Sequence, residues 1–306
     1  MNLNVRNETS TLKAVVLGQP GSIGSTPSLD KTYDAKTYES VLNGVFPTEA
    51  AIYKEMTAFE KVLLKYDVQV FRPWTLEHCN QVFARDVGFV IDDKIINSNI
   101  IPDREDEKEA YEVIYDQIAY NKIYNLPEKA HVEGGDVILY NNVVFVGLYS
   151  GADYPQFKTA RTNLYAFNYL KELFPDKTFI PLELKKHDTN PRHGVLHLDC
   201  CFMPVSHNKA IIYKDGFLYE KDYHLLVEMF GKDNLFEITQ EEMYDMNTNV
   251  FSISPTVVVS EQRFIRLNAY LKNVWGMTVE EVPYHEISKM GGLLRCSTLP
   301  LKRTPN

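Results

Sequence analysis

The 306-residue sequence predicts a mixed α/β fold built from repeats of a β-hairpin and a helix, closed into a ring by its two ends. Three observations predict it: pairs of β-branched runs split by turn residues, amphipathic segments between the pairs, and an unpartnered strand-like run near each terminus. The first such run is LKAVVLG at 12–18, followed by a helical pattern at 48–66 (TEAAIYKEMTAFEKVLLKY). Hairpins then read as VGFVI-DD-KIINS, VILY-NN-VVFVG, CFMPVS-HNK-AIIYK and FSIS-PT-VVVSE, with helical periodicity at 105–120, 163–174, 223–231 and 261–275. The run STLPLK at 297–302 pairs with 12–18 to complete a fifth hairpin. The units recur at roughly 45 to 70 residues, about the spacing of quasi-symmetric architectures, and the whole of 1–306 is expected to form one catalytic domain.

Composition narrows the function. With 32 basic against 41 acidic residues the net charge is −9, which disfavours nucleic acid and anionic membranes and tolerates a cationic ligand. No run approaches the ~20 apolar residues of a membrane span, and the polar start MNLNVRNETS has no signal-peptide core, so a cytoplasmic location is expected. The four cysteines, 79, 200, 201 and 296, contain no CxxC pair, which argues against a zinc knuckle or a disulfide framework.

A polar cluster precedes the first strand of each unit: Ala84-Arg85-Asp86, Glu133-Gly134-Gly135-Asp136, His197-Leu198-Asp199, Asn247-Thr248-Asn249, and Gly291 to Cys296. Singly, each has an ordinary explanation: a surface ion pair, a turn, a core histidine. Their common placement does not, because equivalent ends of a radial fold converge on its axis. The converging set is a thiol, an imidazole and several carboxylates, which is a poor metal inventory and a sufficient one for nucleophilic catalysis on a cation. Asp86 and Asp199 are the expected clamp for a planar guanidinium, with Asp136 a further carboxylate. Cys296 is the expected nucleophile, His197 the proton carrier and Glu133 its orienting partner. The thiolate must be favoured by the bound cation, the imidazolium or Arg295. Arg161 is a candidate for a substrate carboxylate, with a salt bridge at a helix start as the alternative.

These segments resemble the pentein, or guanidine-modifying, superfamily, which includes arginine deiminases, dimethylarginine dimethylaminohydrolases, agmatine deiminases and amidinotransferases. Phe83-Ala84-Arg85-Asp86 resembles the deiminase Phe-x-Arg-Asp segment, which implies that Phe83 packs on the guanidinium. EGGD, HLD and the glycine-rich loop ending at Cys296 resemble the other blocks of the family. The resemblance implies a five-bladed α/β propeller of ββαβ units and a reaction that uses no metal or organic cofactor. It also implies that Arg161, in Thr159-Ala160-Arg161-Thr162-Asn163, meets the substrate carboxylate. The chain departs from the pattern in a long 149–159 segment, in Thr159 where relatives carry Ser, and in Arg295 where many carry His. The expected activity is amidinohydrolysis of arginine or a related guanidino compound through a Cys296 amidino-thioether. An amidinotransferase is the rival reading, and a non-catalytic binding propeller is the rival from another class. Oligomeric state stays open, a homodimer included.

Overall fold

In the computed structural model, which describes residues 1–304, each hairpin is an antiparallel pair that gains a third, parallel strand. The fifteen strands are β1 (Thr11–Leu17), β2 (Gln69–Phe71), β3 (Gly88–Ile91), β4 (Lys94–Asn97), β5 (Ile123–Asn125), β6 (Val137–Tyr140), β7 (Val143–Leu148), β8 (Thr178–Glu183), β9 (Phe202–Pro204), β10 (Ala210–Ile212), β11 (Leu235–Glu237), β12 (Phe251–Ser254), β13 (Val257–Glu261), β14 (Thr278–Val282) and β15 (Thr298–Thr304). They form five three-stranded sheets, ordered β15-β1-β2, β3-β4-β5, β6-β7-β8, β9-β10-β11 and β12-β13-β14. In every sheet the first pair is antiparallel and the second parallel, with a helical crossover supplying the parallel return. The two chain ends share one sheet: β1 pairs with β15 from Thr11↔Thr304 to Leu17↔Thr298. Residues 305 and 306 of the expected 1–306 domain lie outside the described residues.

Local chemistry explains the hairpins. Two-residue connections between right-twisted strands favour left-handed backbone, and Asp92 (φ +53°) and Asn141 (φ +57°) adopt it in the DD and NN turns. The central strands are covered on both faces, so they read as apolar runs: Val15 to Leu17, Val144 to Val146, Ala210 to Ile212, Val258 and Val259 are buried throughout. The third strands are mostly three to six residues long, too short for a period to register. They went unread.

The helix Glu49–Lys65 begins with the Thr48 side chain accepting from the Ala51 N–H, and buries Ile52, Met56, Phe59 and Leu63 at intervals of three and four. Phe59 meets Phe251 and Tyr284 edge-on, tying the helix of the sheet shared by the chain ends to the unit opened by Asn247-Thr248-Asn249. Helices at Leu164–Leu173, Glu220–Phe230 and Ile265–Asn273 match the periodic segments within a few residues. The 105–120 segment does not. It is a 3₁₀ helix over Pro102–Tyr111 and one α turn over Glu112–Tyr115. In a 3₁₀ helix residues three apart eclipse each other, and that spacing closes the buried ion pair of Arg104 with Glu107, a stronger demand here than a weak apolar stripe. A helix missing from the sequence reading, Ala35–Leu42, is capped by Asp34, whose carboxylate accepts from the Thr37 N–H and hydroxyl. No helix among the described residues is long and apolar enough to cross a membrane.

Candidate active site

Short turns ahead of the first strands present the site residues. Asp86 lies in the single α turn Ala84–Val87, Glu133 and His197 each stand at the N-terminal edge of a three-residue 3₁₀ turn, and Cys296 precedes β15. Glycine is required where these turns touch. A Cβ on Gly134 would lie 2.1 Å from the Arg85 carbonyl oxygen, and one on Gly135 would lie 2.6 Å from His197 Nδ1. The loop before Cys296 needs the same freedom: Gly291 has φ +84°, and a Cβ on Gly292 would run into the Phe83 ring at 2.4 Å. Phe83 therefore packs against the cysteine loop.

Two buried networks result. In the first, Glu133 accepts from His197 Nε2 at 2.8 Å and from Arg161 Nη1 at 2.8 and 3.0 Å. Asp86 Oδ2 accepts from Arg104 Nη1 at 2.6 Å, while Arg104 holds Glu107 in a bidentate pair. His197 Nδ1 and Asp86 Oδ1 face each other at 3.7 Å, and neither has a hydrogen-bond partner. Burial works against the imidazolium, but Asp86, Asp136 and the bond to Glu133 outweigh it and raise the His197 pKa. Burial also opposes the Glu133 charge, and Arg161 with His197 overcomes it, so the carboxyl is held down. The surrounding carboxylates thus favour the protonated ring, and its Nδ1 has no partner.

The second network surrounds the thiol. Cys296 Sγ lies 3.6 Å from Asp199 Oδ2 and 3.1 Å from Asn249 Nδ2. Asp199 Oδ2 also accepts from Arg295 Nη1 at 2.8 Å, and Arg295 Nη2 reaches Glu8 at 2.9 Å. Burial pushes the Cys296 thiol well up, and the carboxylates of Asp199 and Asp86 push it further, against a smaller pull from Arg295. Without a ligand the thiol is protonated. The Cys200 thiol sits 3.6 Å from the other oxygen of Asp199.

The turns bring Cys296, His197, Glu133, Asp86, Asp199 and Phe83 together. They assign different partners to the other two expected residues. Asp136 spends both oxygens inside the protein, on the Leu198 N–H at 2.9 Å and the Thr162 hydroxyl at 2.7 Å. Arg161 is fully buried, with Glu133 on one side and the Tyr33 and Lys158 carbonyls on the other. Sequence reading missed Arg104 and Glu107, which lie in a charged stretch with no distinguishing pattern, and Glu8, which lies in the polar start of the chain. It also left Asn249 without a role, although that residue's cluster was singled out by position.

The site is covered. Cys296, His197, Asp86, Glu133 and Asp199 are all buried, and the space beside Cys200, Asp34, Thr159 and Gly291 amounts to a cavity of about 40 Å³. A cleft of about 670 Å³ approaches from outside to Tyr33, Arg104 and Glu107 and carries Asp103, Asp106 and Glu109 on its walls. A separate cavity of about 700 Å³ between the Asp92 and Asn141 turns is lined by none of the site residues. The donor atoms of Asp86, Glu133 and His197 lie within 4.8 Å of one another, but two arginines and an imidazolium already neutralise the carboxylates, which opposes a dication.

A clustered thiol, imidazole and set of carboxylates at the matching ends of ββαβ units defines a guanidine-modifying class of protein, and comparison with known proteins agrees. Residues 40–303 match the family model described as N,N dimethylarginine dimethylhydrolase, eukaryotic. The chain belongs to this family, within the pentein superfamily. It is 32% identical to the uncharacterized protein YkgA of Bacillus subtilis (strain 168), over 73% of this chain and 70% of that one. Among solved structures, the N-terminal domain of ArgZ, a cyanobacterial arginine dihydrolase bound to product, superposes with a TM-score of 0.74 at 17% identity, covering 95% of this chain and 97% of that one. The inosamine-phosphate amidinotransferase StrB1 of Streptomyces griseus gives 0.77 at 14% identity, covering 99% and 97%. These two likenesses concern the fold.

Proposed function

We propose that this chain is an amidinohydrolase that cleaves a C–N bond of arginine or a related guanidino compound through a covalent Cys296 intermediate, its five sheets standing as the blades of one propeller domain around the site. The observation that carries the reading is the buried, unpartnered gap between His197 Nδ1 and Asp86 Oδ1, next to a thiol bracketed by carboxylates. A guanidinium is planar and offers N–H donors at fixed angles, so it satisfies Asp86 Oδ1 and the Asp199 carboxylate together. Its carbon then faces Cys296, and Phe83 flanks the plane.

Binding of the cation removes the obstacle to catalysis. The negative charges that hold the thiol protonated are neutralised when the guanidinium arrives, so the thiol gives up its proton to solvent and the thiolate forms on the loaded enzyme. The sulfur attacks the guanidinium carbon, and a tetrahedral adduct results. Nδ1–H of His197 protonates the departing nitrogen, the C–N bond breaks, and an amidino-thioether remains. Neutral His197 next takes a proton from water, whose oxygen attacks the same carbon. The C–S bond breaks, the hydroxyl proton of the adduct passes to the sulfur, and the ureido product leaves with the thiol restored. Arg161 serves by fixing Glu133, which holds His197 Nε2; Arg104 serves by fixing Asp86. Asp136 acts as a brace between the second and third units.

The test is incubation with arginine, methylated arginines and agmatine, with and without a primary amine, assaying ureido product, released amine and new guanidine. Ureido product that is lost in Cys296→Ser supports the reading. Product that appears only as a new guanidine when the amine is present sinks hydrolysis in favour of transfer, and no turnover of any guanidine sinks both.

A further inference from the structure

The polar cluster that opens the fourth unit, Asn247-Thr248-Asn249, has no part in the mechanism above, yet its last side chain touches the reacting sulfur. Asn249 is fully buried, and its backbone is fixed at both ends: its N–H donates to the Met246 carbonyl, and its own carbonyl accepts from the Arg295 N–H. Asn249 Oδ1 accepts from the Cys296 backbone N–H at 3.1 Å. A backbone N–H only donates, so this contact settles which way the amide faces. The NH₂ end is therefore the one turned to Cys296 Sγ, at 3.1 Å.

Building on the cysteine mechanism proposed above, we propose that Asn249 is a further catalytic residue, whose side-chain amide seats the Cys296 backbone and donates to the sulfur so that the thiolate is stabilised once the cation has bound. The charged and titratable groups around that sulfur make such a donor necessary. Asp199, Asp86, Cys200 and Tyr284 face it with negative or neutral forms, the protonated His197 ring is held by Glu133 and faces Asp86, and Arg295, which favours the ionised sulfur, is already divided between Asp199 and Glu8. A neutral thiol is a weak acceptor, whereas a thiolate is a strong one, so the amide discriminates in favour of the ionised nucleophile. Thr248 supports the arrangement from the neighbouring position: its hydroxyl donates to the Asp199 carbonyl at 2.8 Å, which joins the turn carrying Asn249 to the turn carrying Asp199.

The experiment follows inactivation of the full chain by 2-chloroacetamidine, a cationic alkylating amidine, across pH 6 to 10, with neutral iodoacetamide as a second probe. Asn249→Ala is expected to move the midpoint of the inactivation rate up by about one pH unit, a roughly tenfold smaller thiolate fraction at neutral pH, with the saturation constant for the amidine unchanged. Asn249→Ser, which keeps a short donor, is expected to recover part of that shift. Asn249→Asp, isosteric and still able to accept from the Cys296 N–H, is expected to move the midpoint further up than Ala, because the donor is replaced by a charge. A purely structural role predicts lower thermal stability and an altered saturation constant in all three variants, with the midpoint left at the wild-type value; that result overturns the proposal. The guanidine reading fails separately, if wild-type enzyme shows no saturation with the amidine and no preference for it over iodoacetamide. The midpoint comparison with iodoacetamide still decides the role of Asn249 in that case.

Discussion

The turns Gly134–Asp136 and Leu198–Cys200 occupy equivalent positions in neighbouring units, each a three-residue 3₁₀ turn feeding the first strand of a hairpin, with an aspartate three residues after Glu133 in one and two residues after His197 in the other. Glu133 and His197, at the matching edges of these turns, bond each other. The aspartates diverge. Asp136 is wrapped by a backbone N–H and a hydroxyl, and burial raises its carboxyl. Asp199 is anchored from below by Arg295 and faces two thiols. The aspartate of the turn thus serves as a brace in the second unit and, one position earlier in the turn, as a reactive wall in the third. What differs is the supply of partners: Gly147 leaves room for Asp136 to turn inward, where a Cβ would lie 2.6 Å from its oxygen, whereas Asp199 receives a guanidinium.

Substitutions separate the two roles. The largest effect is expected for Asp199→Asn, which leaves Arg295 buried with Glu8 as its one carboxylate: a loss of about 3–5 kcal/mol in urea unfolding, because breaking a buried pair strands a charge. Turnover should fall with it. If stability is unchanged, the anchoring of Asp199 by Arg295 is not what distinguishes the two turns.

The next effect concerns pH. Burial opposes the Glu8 charge, but Arg295, Arg85 and Arg303 prevail and hold its carboxyl at about 2, against an ordinary 4.5. A depressed carboxyl stabilises the fold above pH 4.5, and the benefit disappears as pH falls through 2. Glu8→Gln should therefore lower stability by up to about 3 kcal/mol at neutral pH, with the difference closing between pH 4.5 and 2 in denaturant titrations. His197 has the opposite sign. Its raised pKa stabilises the fold below pH 6.5, and the benefit is lost as pH rises through the folded value, so His197→Gln should flatten the alkaline side of the same curve.

Gly135→Ala should cost about 1–3 kcal/mol by thermal unfolding, since the new methyl overlaps the His197 ring. It should also depress kcat, by displacing that ring from Glu133, more than it alters substrate affinity. The smallest effect is expected for Asp136→Asn, about 1 kcal/mol, with activity largely kept, since an amide still accepts from the Leu198 N–H and the Thr162 hydroxyl can reverse its bond. If Asp136→Asn instead abolishes substrate binding while the fold stands, Asp136 is a substrate ligand and the two turns are alike after all.

The hairpins, four of the five helical segments and the position of every reactive cluster were legible in the residues. β-Branched runs around DD and NN turns have few alternatives, and His197 and Cys296 are scarce residue types that stand, like Glu133, at the matching end of a unit. Arg104 shows why the rest was hidden. In DREDEKE it is one charge among many, and only folding reveals that it is buried between Asp86 and Glu107. The same holds for Glu8, almost three hundred residues from the Arg295 it neutralises.

By itself, then, the sequence determined the repeat, the family and the chemical types gathered at one end of each unit, because strand pairing and turn geometry depend on near neighbours. The tertiary structure decided which charge meets which. Arg161 went to Glu133, Arg104 to Asp86 and Arg295 to Asp199, because in a dehydrated interior each buried ion takes the partner that packing brings within reach, however distant in the chain.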